Sequence, residues 1–230
     1  MKILNKNTLS LYFFHLILSI IFNYVSYTSF LRGLHNSNGI WNFMRDSLLY
    51  HNESIILLNY LSQNNFYKYL ITFNEHINTK IISLFYYFTN LNFPSIYIPF
   101  HSFLWVLSVI LIFKSTKKLF NTQAAYISVL PLFFISYLTL YMGLLRESFS
   151  VLGYSLYLFA IINIYKENNI TKNIYFFLIS FLLLLLVRPY LIPVILFFSV
   201  LIFITFYLLK KIRLNHLILI LFIIILSVLS

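Results

Sequence analysis

Asp46 and Glu53 are the first side chains in this sequence spaced to do chemistry together. They stand seven residues apart, two turns of a helix, so on one helix both carboxylates share a face. A carboxylate there can take a proton from a hydroxyl or hold a cation, and Tyr50 and His51 lie between the two as supporting groups. Arg146 and Arg188 each close a long apolar run. An ionised side chain costs about 2.5–3.5 kcal/mol at mid-helix in a bilayer and less at its surface. Each arginine therefore either snorkels to the interface or grips phosphate oxygens with its bidentate, permanently charged fork. The Pro189-Tyr190 pair after Arg188 favours the second use. Glu147, next to Arg146, reads first as a local ion-pair partner and second as an acid.

Other chemistries are excluded. With no cysteine there is no disulfide, thiolate zinc site, iron-sulfur cluster or cysteine nucleophile. His51 and Glu53 are two residues apart and His76 stands alone, so no metal-ligand spacing is present. Only four glycines occur, and none forms a phosphate-cradling loop. The net charge of +11 is scattered between apolar runs and not gathered into a basic face, which argues against a nucleic-acid partner.

The elements that must position these residues follow from composition. Hydrophobic residues make up 61% of the chain and charged ones 9%, against roughly 45–50% and about 25% in soluble domains. Sixteen basic and five acidic side chains cannot cover a water-facing surface of this size, so a bilayer must cover the rest. The expected fold is all-α: a single transmembrane domain over residues 1–230, a bundle of about seven spans. These run Thr8 to Leu31, Ile96 to Phe113, Ala124 to Leu144, Phe149 to Ile164, Ile174 to Val187, Tyr190 to Leu209 and Leu214 to Ser230. The first is long for a signal peptide and lacks a small-residue cleavage site. Pro131 and Pro193 fall inside spans and predict kinks. The chain stops at Ser230 without a charged flank, as a piece of a longer protein would.

Residues 32–94 form the longest polar interval. Within it Leu48, Leu49, Ile55, Ile56, Leu58 and Leu61, then Ile81, Ile82, Leu84, Phe85 and Phe88, recur near helical spacing. Both stretches are expected to be amphipathic helices lying on the membrane. Placing the amino terminus in the cytoplasm puts Lys2, Lys6, Lys114, Lys117, Lys118, Lys166, Lys172, Lys210, Lys211 and Arg213 inside, as the positive-inside rule prefers. Four of the five arginines and four of the five acidic residues then share the extracytoplasmic face, and the site is expected there.

The Asp46-Ser47-Leu48-Leu49-Tyr50-His51-Asn52-Glu53-Ser54 segment resembles the Asp-x-x-x-Tyr start of the first extracytoplasmic loop of polytopic GT-C-type glycosyltransferases. The Leu144-Leu145-Arg146-Glu147-Ser148 and Leu186-Val187-Arg188-Pro189-Tyr190 stretches are similar to those of membrane proteins from bacterial surface-polysaccharide clusters, including O-antigen and exopolysaccharide polymerases. An adjacent acidic pair, found in some GT-C families, and a soluble carboxy-terminal domain are both missing.

The resemblance implies a multi-pass protein of the inner cell membrane that transfers a sugar from a polyprenyl-phosphate carrier to a glycan acceptor. Asp46, with Glu53 second, would act as base or hold a divalent cation such as Mg²⁺ or Mn²⁺. Arg146 and Arg188 would bind the carrier phosphate, with Tyr50, His51, Glu147 and Tyr190 in support. Three alternatives stay open: a repeat-unit polymerase in which the arginines are central, a flippase for the same lipids with a site near the bilayer midplane, and a membrane protein without catalysis.

Overall fold

The computed structural model describes residues 6–36, 39–73, 76–134, 142–167 and 170–209. Among these residues the regular structure is all helical, with one isolated bridge between His35 and Trp41 and no strand. It divides into two compact units, Met1–Ile110 with Val129–Phe149, and Leu111–Ser128 with Ser150–Ser230.

The first unit opens with α1 (Lys6–Val25), a helix turned inside out. His15, Ser19 and Asn23, four residues apart and thus on one face, are buried, while Leu9, Phe13, Ile17, Ile20, Ile21 and Tyr24 are exposed. The inward polar groups are satisfied across to later segments. His15 Nδ1 is 2.9 Å from Ser102 Oγ and 3.2 Å from Ser19 Oγ, and Asn23 Oδ1 accepts from Ser95 Oγ at 2.8 Å. The expected span to Leu31 ends six residues early. Ser26 and Thr28 donate their hydroxyls back to the carbonyls of Asn23 and Val25, which offers the backbone an alternative to another helical turn, and Leu31 is left-handed at φ 57°.

The polar interval folds into α2 (Arg45–Ser62), α3 (Phe66–Ile71) and α4 (Ile77–Thr89). Both expected helices form, and each buries polar side chains together with part of its apolar set. In α2 the buried residues are Ser47, Tyr50, Glu53, Ser54, Leu57 and Leu61, whereas Leu48, Leu49 and Ile56 are exposed. In α4, Asn78, Thr79, Ile82, Ser83 and Tyr86 are buried and Phe88 is exposed. Most of the buried polar groups have a hydrogen-bond partner close by, Ser47 being the exception. Ser54 Oγ lies within bonding distance of the carbonyls of Tyr50, 2.6 Å, and Thr79, 3.0 Å, and His51 Nδ1 is bonded to the Tyr86 hydroxyl at 2.9 Å. Asn65 caps α3 by accepting from the Lys68 amide, and Asn90 ends α4 in the left-handed conformation that closes helices.

A 3₁₀ turn, Pro94–Tyr97, leads into α5 (Ile98–Leu119). This helix runs past the expected end at Phe113 and carries Lys117 and Lys118 in its last turn, where cations complement the helix dipole. Next comes α6 (Thr122–Val129), followed by a 3₁₀ turn at Leu130–Phe133. The expected continuous span from Ala124 to Leu144 is therefore broken. Pro131 has no amide hydrogen and lies at the start of the 3₁₀ turn that begins at Leu130, after which Phe134 is extended; residues 135–141 of that span lie outside the described residues.

In the second unit, α7 (Glu147–Glu167), α8 (Ile170–Val187) and α9 (Ile192–Leu208) build one apolar cluster. Ile164, Leu184 and Phe203 are fully enclosed in it. A Cβ on Gly153 would sit 2.8 Å from Leu184 Cγ, so the glycine permits the approach of α7 to α8. Pro193 causes no kink, because it lies in the first turn of α9, where its missing N–H would be unpaired anyway. The expected span Leu214 to Ser230 lies outside the described residues. Among the described residues three helices are long and apolar enough to cross a membrane: Lys6–Val25, Pro94–Leu119 and Glu147–Lys166.

Candidate functional site

Asp46 stands in the first turn of α2, exposed, with Arg45 beside it. Every third residue here, Trp41, Met44, Ser47 and Tyr50, is buried, and that period turns Arg45 and Asp46 outward. Across from them runs the turn 142–146 that leads into α7. Phe43, Met44, Arg45 and Asp46 on one side and Leu145 and Glu147 on the other line an open recess with ≈ 280 Å³ of room for water-sized spheres. Small-molecule sites occupy roughly 300–1,000 Å³, so the recess suits a headgroup-sized ligand. Gly143 allows this approach. A Cβ there would lie 2.6 Å from Met44 Sδ and 3.0 Å from Ser47 Oγ.

The turn is held from beneath. Asn78 on α4 donates from Nδ2 to the Leu144 carbonyl at 2.8 Å, and the Tyr97 hydroxyl donates to Asn78 Oδ1 at 3.3 Å. Ser148 Oγ lies 3.3 Å from His101 Nε2 and 3.1 Å from the Leu145 carbonyl. Three separate elements thereby fix the backbone around Arg146 and Glu147. The two side chains form a loose pair, Nε to Oε1 at 3.9 Å, both half-buried.

Tyr50 joins these groups electrostatically. Burial pushes its phenol up to about 12, opposed by the Arg146 charge and reinforced by the charges of Glu147, Asp46 and Glu53. All four expected ionic groups of this unit therefore act on one buried hydroxyl. Glu53 does so from a different position. It is buried on the inner face of α2, and both its oxygens lie within 3.0 Å of His76 Nδ1, while the His76 ring meets Tyr50 edge-on at 5.3 Å. Glu53 shares a helix with Asp46 but does not line the recess; it ties α2 to the start of α4. His76, which looks solitary in sequence, is its partner. His51 likewise faces α4 and bonds Tyr86, and burial lowers its imidazole from its ordinary value.

Arg188 and Tyr190 belong to the second unit. The Arg188 guanidinium donates to the Tyr190 hydroxyl and lies 5.9 Å from the centre of its ring, a cation-π geometry. Arg188 is half-buried and Tyr190 exposed.

The recess contains Asp46 and Glu147, to which the sequence pointed, and Arg45, which it did not single out. Among the described residues no three His, Asp or Glu side chains converge as a metal cage. Asp46 and Glu147 together do supply the one or two carboxylates with which Mg²⁺ is commonly held when substrate phosphates and waters complete its shell. No protein-family model matches the chain, and no curated protein and no solved structure matches it.

Proposed function

We propose that this chain is a multi-pass membrane enzyme that transfers a sugar from a polyprenyl-phosphate carrier at the extracytoplasmic surface. The bilayer reading rests on the three helices long and apolar enough to cross a membrane and on the reversed α1, whose outward face is apolar and inward face polar. Hydrocarbon is the solvent for which such a surface is suited. Seven spans with a cytoplasmic amino terminus follow from the apolar runs and the lysine-rich turns. They put the 32–94 interval and the 142–147 turn beyond the opposite leaflet.

The observation that carries the catalytic reading is that Asp46 and Glu147, distant in sequence, line one recess with Arg45. Asp46, exposed at the start of α2, is the base for the acceptor hydroxyl. Arg45, together with Arg146 beside Glu147, supplies positive charge for the phosphate as the bond from sugar to phosphate oxygen breaks and negative charge grows there. Glu147 orients Arg146 and adds a second acceptor for sugar hydroxyls. A divalent cation would be held by Asp46 and Glu147 and would neutralise charge on the leaving phosphate.

Membranes carrying the protein, supplied with a radiolabelled polyprenyl-phosphate sugar and a glycan acceptor, test this. Asp46→Asn should lower product by about 10²–10⁴-fold, the usual range for a positioned general base, while the protein stays inserted. Product at the unaltered level would remove Asp46 from the chemistry. If Arg45→Ala and Arg146→Ala abolish product while Asp46→Asn does not, the repeat-unit polymerase is the better reading.

A further inference from the structure

Behind the recess, with Met44 as the shared wall, lies a second and much smaller space. Asn23, Gly39, Ile40, Trp41, Ser47 and Gly143 are among the residues that line it. Its room for a water-sized sphere is ≈ 10 Å³, about the least, roughly 10–15 Å³, that one water requires. Two of its lining side chains carry buried polar atoms without a hydrogen-bond partner, Trp41 Nε1 and Ser47 Oγ. Trp41 is 5% exposed and Ser47 2%. Ser47 Oγ faces Gly143, since a Cβ there would sit 3.0 Å from it. A tryptophan N–H only donates, and a serine hydroxyl can donate beside it, so the niche presents two donors and space for one atom. Buried donors without a partner are rare in folded proteins because leaving them unpaired is costly.

We infer that the niche is a binding site for one neutral oxygen that accepts from both Trp41 Nε1 and Ser47 Oγ, and so links the entry to α2 with the turn bearing Arg146 and Glu147. The inference stands on this geometry and is independent of the sugar-transfer reading. The oxygen has two possible sources with the same chemistry, a water molecule or a hydroxyl of a sugar seated in the recess. A phosphate is too large.

The chain's two tryptophans make the test direct, because Trp105 Nε1 already donates to the Leu132 carbonyl at 3.0 Å and serves as an internal control. In protein labelled with ¹⁵N-tryptophan in dodecylphosphocholine micelles, the Trp41 indole proton should show a magnetisation-transfer peak to a bound water, and Trp105 none. Titration with octyl glucoside distinguishes the sources. A shift of the Trp41 signal alone, with loss of the water peak, identifies a sugar hydroxyl, and an unchanged water peak identifies water. Gly143→Ala fills the niche and should erase the Trp41 peak while the Trp105 signal keeps its position. Should that variant lose the Trp105 signal, Ser47→Ala replaces it and should weaken the Trp41 water peak at least twofold. A Trp41 indole with neither a water peak nor a response to the glucoside, or a peak that survives the substitution, overturns the inference.

Discussion

Tyr50 in the first unit and Phe203 in the second are equally inaccessible, yet their neighbours differ in kind. Around Tyr50 lie His76, Glu53, Asn78 and Ser54 together with Ile82, Tyr86 and Tyr97, so the packing is threaded with hydrogen bonds. Phe203 sits among Phe177, Phe206, Ile164 and Leu184 with ring contacts of 5.6 and 6.1 Å. Directional bonds set position to tenths of an ångström, whereas apolar packing is satisfied by volume. A recess whose chemistry depends on where a carboxylate points is found in the first unit, and an apolar cluster forms the centre of the second.

The comparison makes ranked predictions. Phe203→Ala empties the centre of the apolar cluster and should cost about 3–5 kcal/mol in reversible SDS unfolding, whereas Phe203→Leu should cost under about 1.5 kcal/mol. Equal losses would mean that shape, and not volume, governs the second unit. Next in size, Glu53→Ala leaves His76 without its carboxylate and Tyr50 without a neighbour, for about 1–3 kcal/mol. Its double-mutant cycle with His76→Ala should show coupling, and additive effects would mean that the pair does not tie α2 to α4.

Asn78→Ala removes the donor to the Leu144 carbonyl and should cost about 1–2 kcal/mol. It should also reduce turnover without changing expression, since the Arg146-Glu147 turn loses an anchor; unaltered turnover would free the site from that anchor.

The smallest effect is the response to acid. Burial holds the His51 imidazole below its ordinary value, so the folded state prefers it neutral. That contribution is present above the unfolded pKa and is lost as pH falls through the interval below it. Thermal stability in detergent should therefore decline more from pH 7 to pH 5 in the parent than in His51→Gln, and parallel curves would exclude His51 as the cause.

Much of this was legible in the sequence, and unevenly so. The helices α2 and α4 were visible because apolar residues recur with helical period, but their inner faces were not. Periodicity marks the apolar side, and here Leu48, Leu49 and Phe88 point outward while Ser47, Glu53 and Asn78 point in. A period rule does not show which polar groups find partners inside, as Glu53 does in His76 and Asn78 in the Leu144 carbonyl. The proline at 131 was visible as a disturbance, but whether it kinks or ends a helix depends on the carbonyls it frees. Asp46 and Glu53 were recognisable from their seven-residue spacing. Glu53's commitment to His76, and the place of Glu147 in the same recess as Arg45 and Asp46, are tertiary facts that one-dimensional spacing does not contain.

Both tryptophans of the chain, Trp41 and Trp105, fall in the first unit. Intrinsic fluorescence at the red edge of excitation therefore follows that unit and is blind to the other, while far-ultraviolet circular dichroism sums over every helix. Superimposable melting curves from the two signals would make the units one cooperative body. An emission change that precedes or trails the loss of ellipticity would assign each step to its unit with no label introduced.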